Sequence, residues 1–357
     1  MGWRYIAQRA TTGEMLHLDV PIVRDELSWA LSGPGGLRGT ISPDVGALRA
    51  ADGRLVLDEW GTLLYAEADG EIRWGGTVVR SRFEGSAWSV EAVGMAGYPH
   101  GLPYLGEYIS EGVDPLDVVR ELWAHVQGQP DGDLGIVVDS MTTPVRVGTV
   151  DEPYTLVWWE STDCGTEIDT LARETPFDYT EHHQWDGDSI THRLVIGYPR
   201  LGRRRDDLSF EQGVNITNVV APTRDGDQYA NELIGLGAGE GRAVVQRRIP
   251  EPDGRLRRAA VYSDKSITST DRMDALCRAE LAVRKQITEI AEVTVINHPH
   301  APIGSWAVGD DVLIKARIPW LGDVSLWHRI VGWSLVSDHR ARLSLRRSDA
   351  FTYRGTS

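Results

Sequence analysis

Paired carboxylates are the residues of this chain whose types and spacing come nearest to catalytic chemistry. Asp151–Glu152 and Glu67–Asp69 could hydrolyse a glycoside if their carboxyls faced each other across a fixed gap. Spacing alone does not make a facing pair, and 52 acidic residues in 357 bring such neighbours together by chance. Histidines are the next candidates. His182 and His183 are adjacent, and adjacent residues on a strand point to opposite faces, so they do not share an ion. His298 and His300 flank Pro299 and could face one way, but no third ligand follows at metal spacing. The Asp-Gly pairs resemble fragments of calcium loops, yet none completes the acidic spacing with a terminal glutamate. They read first as hairpin turns.

Other signatures point away from an enzyme. No G-x-S-x-G elbow, phosphate loop or dinucleotide fingerprint occurs. The run SGPGG lacks the following helix and lysine that a phosphate cradle needs. Cys164 and Cys277 lie far apart and read as reduced thiols, unable to build a disulfide framework or a cysteine-only zinc site. Arg200, Arg203, Arg204 and Arg205 cluster before Asp206 and Asp207, which fits a solvated linker better than an anion site. Trp158–Trp159 could stack on sugar, although a buried strand edge or an interface is the stronger reading. No catalytic, cofactor-binding or metal residue is assigned, and no cofactor is expected.

Composition sets the frame for these residues. A net charge of −15 argues against gripping nucleic-acid phosphates, which requires clustered cations. It does not argue against a conduit that DNA passes without sticking. Of the 37 basic residues only Lys265, Lys285 and Lys315 are lysines, a bias expected of a GC-rich genome. Thirteen tryptophans against four phenylalanines suit strands and interfaces, where the indole body is buried and its N–H finds a partner. A mean hydropathy of −0.28 is that of a soluble globular protein. No stretch approaches the roughly 18 apolar residues of a membrane span. The segment MGWRYIAQRATTGE shows no secretory signal, so synthesis and folding in a cytoplasm are expected. A chain of this length usually makes about two to four domains.

Residues 1–98 read as β. MLHLDVPI alternates, SGPGG turns, LRGTISP resumes a strand, and Asp69-Gly70 favours a type I′ hairpin. Five or more short antiparallel strands predict a small barrel or sandwich. Residues 99–206 read as an α+β unit. Asp114 and Pro115 open a helix with Val118, Leu122 and Val126 on one face. LGIVVDS is a strand and 166–175 a second helix. Residues from FDYTEHHQW to IGYP form two strands around an Asp-Gly turn. Residues 207–245 return to β through VNITNVVAPT, a turn at Asp225-Gly226, and QYANELIGLGAG. The Arg- and Pro-rich run 246–268 reads as an exposed excursion, followed by a helix over 269–286. From Glu289 the chain is β again, with a turn at Val308-Gly309-Asp310, and 350–357 reads as a loose tail.

One pattern occurs near each end and not between. Residues 61–94, GTLLYAEADGEIRWGGTVVRSRFEGSAWSVEAVG, and 311–347, DVLIKARIPWLGDVSLWHRIVGWSLVSDHRARLSLRR, both read as strand, turn, strand, turn, strand. Gly76 is followed by TVVRS and Gly332 by WSLVS. A β-unit used twice predicts a ring component rather than a single-site enzyme.

Three segments carry a resemblance: LSWALSGPGGLRGTISP, EADGEIRWGGTVVRSRFEGSAWSVEAVGMAGYP, and DYTEHHQW with the later HRLVIGYPRLGRRR. Over residues 10–348 the chain resembles the minor tail proteins of actinobacterial siphoviruses, of the baseplate-hub or tail-tip hub type. Such hubs are similar to the central hub of contractile-phage baseplates and to the N-terminal part of type VI secretion spikes. The resemblance implies a mainly β fold, with two related antiparallel β-barrel domains and an inserted α+β domain. The barrels would span 1–98, and 207–245 with 287–349; the insertion would span 99–206, and 246–286 would be an excursion with a helix. It implies a homotrimer whose six barrels match a sixfold tail tube or distal tail ring on one face and a threefold tip on the other. It also implies a virion structural protein at the tail tip, assembled in the host cytoplasm, with the tape measure protein and a central fibre as partners and DNA passing through the lumen at genome ejection. No enzyme activity travels with it. The alternatives are a tail-associated cell-wall hydrolase or carbohydrate-binding protein, and a secretion-system spike component. Lysis of host walls would favour the first, and the absence of a neighbouring tape-measure gene the second.

Overall fold

The computed structural model describes residues 2–41, 48–85, 87–175, 177–265, 267–285 and 287–348. It is 47% strand and 14% helix, as the mainly β reading requires. The expected tail at 350–357 and the last two residues of LRGTISP lie outside the described residues.

The chain opens with β1 (Trp3–Arg9), β2 (Met15–His17), β3 (Ile22–Ala30), β4 (Gly36–Ile41), β5 (Thr62–Ala68), β6 (Glu71–Glu84) and β7 (Ala87–Gly94). There follow β8 (Glu107–Ser110), α1 (Pro115–Gln127), β9 (Ile136–Val138), β10 (Tyr154–Val157), α2 (Cys164–Glu174), β11 (Asp178–Asp186) and β12 (Ser189–Gly197). Next come β13 (Arg204–Glu211), β14 (Thr223–Arg224), β15 (Glu232–Leu236), β16 (Gln246–Pro250), β17 (Ala259–Ser263) and α3 (Thr270–Lys285). The chain closes with β18 (Thr288–Glu289), β19 (Glu292–Ile296), β20 (Asp311–Ile318), β21 (Gly322–Ser337) and β22 (Arg340–Arg347). It divides into two compact units, one of Met1–Arg204, Thr294–Asp310 and Ile330–Leu343, the other of Arg205–Val293, Asp311–Arg329 and Ser344–Ser357.

In the first unit the strand order is β2-β1-β5-β6-β7-β4-β3-β21. Among the described strands this path does not close on itself. β5 is buried along its whole length, as befits a strand covered on both faces. The Asp69-Gly70 turn has φ of 54° and 82°, the positive pair a type I′ hairpin needs. β11 pairs with β12 around a Gly187-Asp188 turn, one residue past the expected Asp-Gly pair, and β9 joins β12 in parallel. Residues 1–98 and the α+β segment share one core. Ile6, Tyr65 and Ile72 belong to the same buried cluster as Leu122 of α1, Ile168 of α2 and Tyr179 of β11. α1 buries Val118, Leu122 and Val126 on one face, as its spacing predicts.

In the second unit β15 is central, antiparallel to β16 and parallel to β17. Met273, Cys277 and Leu281 of α3 share a core with Leu233, Ile249 and Tyr262. A Cβ at Gly235 would sit 2.5 Å from the Cys277 sulfur, so that glycine allows the helix to lie close on the sheet. The run 246–268 is largely exposed, as expected, but it is not irregular throughout: it supplies two strands. Its arginines hide this, because they pair with acids at the layer's margin while Ile249 and Tyr262 turn inward. Arg247 binds Asp274, and Arg248 and Arg257 both bind Glu232. These two guanidiniums hold the Glu232 carboxyl down at about 2.

Two further expectations fail in the second unit. VNITNVVAPT is not a strand over its length: Asn215 accepts from the Glu211 N–H and donates to the Ser209 carbonyl, folding the chain back after β13. Asp225-Gly226 is no hairpin turn either, because β14 pairs with β18 instead of with the segment that follows it. The expected turn at Gly309 is present, with φ of 92°.

The terminal pattern folds as strand, long strand, strand at both ends: β5, β6 and β7 have 7, 14 and 8 residues, and β20, β21 and β22 have 8, 16 and 8. The two glycines are not equivalent, however. Gly76 lies nearer the start of β6 and Gly332 nearer the end of β21.

Asp114 is the most consequential cap. Its carboxylate is buried and accepts from the Leu116 N–H at 3.0 Å, the Thr143 N–H at 2.6 Å and the Thr143 hydroxyl at 3.1 Å. Asp114→Ala removes the cap and strands the buried Thr143 N–H, so it should lower the unfolding free energy by about 2–3 kcal/mol. Denaturant melts of the two proteins measure the difference.

Candidate functional site

The structure disperses most of the sequence candidates. Glu67 is buried and pairs with Arg4, while Asp69 sits in the hairpin turn. Asp151 and Glu152 are exposed neighbours in a loop, where the Glu152 N–H bonds to Thr149. His298 and His300 stack edge-on at 4.7 Å, and the His300 N–H donates to the His298 Nδ1. Among the described residues no group of three or more His, Cys, Asp or Glu is placed to hold a metal. Cys164 and Cys277 are free and buried, and burial raises the Cys164 thiol to about 11. Arg205 is buried against Asp207 through two bonds of 2.8 and 2.7 Å. Trp158 and Trp159 are exposed and meet edge to face.

One histidine has a different fate. His182 is exposed, but His183 faces inward and meets His192 across the β11–β12 hairpin. Gln8 donates its amide to the Gly13 carbonyl, which turns its Oε1 toward Tyr65. Tyr65 therefore donates to Gln8, at 2.6 Å. The His192 Nε2, 3.2 Å from the Tyr65 oxygen, must carry the next proton. Its Nδ1 then accepts from the His183 Nδ1 at 3.1 Å, which leaves the His183 Nε2 as a lone pair. That lone pair lies 3.9 Å from Glu181. Burial raises the Glu181 carboxyl to about 8, and it lowers His192 to about 4 and His183 well below its usual range. Every member of the chain is thus favoured in its neutral form. Two glycines make the room: a Cβ at Gly75 would come within 3.0 Å of His183, and one at Gly94 would collide with Glu181.

Sequence reasoning missed this pairing, yet the signal was present. Counting outward from the turn between Asp186 and Ser189 puts His183 opposite His192. What no count supplies is Glu181 bonding to the Ala96 N–H at 2.8 Å.

Beside this chain the first unit carries a cleft of about 700 Å³. It runs along residues 180–185 of β11 and past the turn at 70–73. Trp3, Trp29, Trp185, Trp306 and Trp333 line it. Trp29 and Trp333 are direct partners in the β3–β21 ladder and stack at 3.8 Å, with Trp306 edge-on to Trp333 at 5.0 Å.

This mainly β chain has the fold of phage tail proteins. Its solved neighbours include the 43 kDa tail protein of prophage MuSo2 from Shewanella oneidensis, at 12% identity and a TM-score of 0.55, with 98% of this chain and 99% of that one covered. Prophage tail protein gp18 from Listeria monocytogenes is similar at 11% identity and a TM-score of 0.57, covering 97% and 95%. The tail protein from Neisseria meningitidis follows at 14% and 0.56, covering 99% and 98%. No family model matches the sequence, and no curated protein matches it.

The buried chain makes stability depend on pH in two directions. Glu181 titrates higher in the folded state than in the unfolded chain, so its contribution is complete below about pH 4.5 and is lost as pH rises through 8. His192 titrates lower when folded, so its contribution is complete above about 6.5 and is lost as pH falls toward 4. Glu181→Gln should therefore gain stability on the wild type as pH rises from 5 to 8.5, by on the order of a few kcal/mol at the upper end. Thermal melts across that range test it; parallel curves would show that Glu181 is not buried as a neutral acid.

Proposed function

We propose that this protein is a structural tail-tip hub of a long-tailed phage, forming a homotrimeric ring that joins a sixfold tail tube or distal tail ring to a threefold tip. The observation that carries this reading is the end-to-end match to phage tail proteins, which leaves almost no part of either chain unaligned. Similar three-stranded meanders near both ends support two sister β-modules per chain, at 1–98 and at 207–245 with 287–349, around an inserted segment at 99–206. Six such modules in three chains would present a near-sixfold face. A net charge of −15 suits a lumen through which DNA slides without sticking.

The same reading makes the protein non-enzymatic and places it at the virion's tail tip, with distal tail, tape measure and fibre proteins as neighbours. Exposed apolar side chains fit an assembling surface. Trp320 in the β20–β21 turn is 95% exposed, and tryptophan is enriched at interfaces.

Native mass spectrometry of the purified protein at micromolar concentration, with and without its tail partners, tests the ring. The expected species is three times the 39.5 kDa chain. A dimer or tetramer, or a monomer that persists beside its partners, would overturn the trimeric hub.

A further inference from the structure

We propose that the tryptophan-lined cleft of the first unit is a binding site for an uncharged saccharide. Its volume of about 700 Å³ is that of a small-ligand site. The site goes beyond the hub role and does not depend on it.

Three features of the lining converge on that ligand class. The first is aromatic surface. Five tryptophans line one cleft, and Trp29, Trp185 and Trp333 are only partly buried. Indole faces accept the C–H faces of a pyranose ring through dispersion and weak polar contact.

The second is an unused strand edge. The two-residue turn Gly187-Asp188 makes Asp186 and Ser189 a hydrogen-bonded pair. Even-numbered residues of β11 therefore bond to β12, and odd-numbered ones turn their N–H and C=O groups away. The Tyr179 carbonyl confirms the phase, since it accepts from the Ser32 N–H at 2.8 Å. Among the described strands none pairs with that edge at Glu181, His183 and Trp185, where the cleft runs. Exposed His182 and Gln184 add side-chain donors and acceptors beside it. Backbone and amide groups of this kind match ring hydroxyls, each of which both donates and accepts.

The third is charge balance. Among the described residues Arg73 is the one arginine or lysine of the lining, and it is paired with Glu71 at 2.8 Å. An anion finds no spare cation here. A wholly apolar ligand would strand the N–H and C=O groups of the β11 edge away from water with no partner. A neutral molecule with apolar faces and many hydroxyls satisfies both walls.

Saturation-transfer NMR and tryptophan fluorescence on the intact chain test the site. Glucose, galactose, mannose, rhamnose and N-acetylglucosamine serve as neutral probes, with glucuronate as the charged comparison. At least one neutral sugar should receive saturation and shift the emission. Gln184→Ala, an exposed change that leaves the core alone, should weaken binding about fivefold, the worth of one hydrogen bond. Trp185→Ala should weaken it further if its circular dichroism stays native; if it does not, Gln184→Ala decides alone. Trp158→Ala, outside the cleft, should bind like the wild type. The proposal is overturned if no neutral sugar binds, if glucuronate binds as well as the best of them, or if Gln184→Ala leaves affinity unchanged.

Discussion

Where β11 packs against β6 at Gly75, the side chains of Gln8, Tyr65, His192, His183 and Glu181 leave water together. An ionised group in that setting costs several kcal/mol unless it is paired, so the chain is held together by proton placement rather than by charge. With the Gln8 amide donating to the Gly13 carbonyl, the order of protons follows from Gln8 outward. The two ends are pinned to backbone, Gln8 to the Gly13 carbonyl and Glu181 to the Ala96 N–H. The α+β segment is thereby locked to the first sheet by hydrogen bonds that tolerate little displacement, in addition to the apolar contacts of their common core.

That lock also positions the cleft. β11 is fixed at one end by Ser32, which bonds the Tyr179 backbone through both its N–H and its hydroxyl. Farther along it is fixed by His183 and Glu181. With those inward residues committed, the strand's outer edge cannot rotate into the core, and it faces the tryptophans of β3 and β21. The Trp29–Trp333 stack follows from ladder register, since directly opposed residues on one face of an antiparallel pair are close enough to stack.

Legibility in the sequence followed the reach of each signal. Local signals were readable: the Asp114 cap, the α1 face, the Asp69-Gly70 turn and the strand-long strand-strand pattern at both ends all depend on neighbours within a few residues. The exposure of Arg-rich 246–268 was readable but its two strands were not, because solvated and salt-bridged arginines have the same composition, and only the position of Glu232 and Asp274 distinguishes them. VNITNVVAPT misled because strand propensity there is overridden by one asparagine bonding backward. The cleft was unreadable in principle. Its tryptophans come from β1, β3, β11, a loop before β20, and β21, and no spacing rule joins them. Trp158–Trp159, the aromatic pair that adjacency did reveal, is not among them.

Near-complete alignment at 11–14% identity shows where this fold keeps its information. Many side-chain sets can satisfy one fold as long as the inward positions stay apolar and the turns keep their special residues. A protein whose task is to hold a shape against its neighbours is constrained in that way. A catalytic protein must instead keep a few side chains in place to within a fraction of an ångström, and would show them as a motif. In this chain His183 and His192 are buried and Glu181 is nearly so at the wall of the cleft, and together they hold β11 against the first sheet.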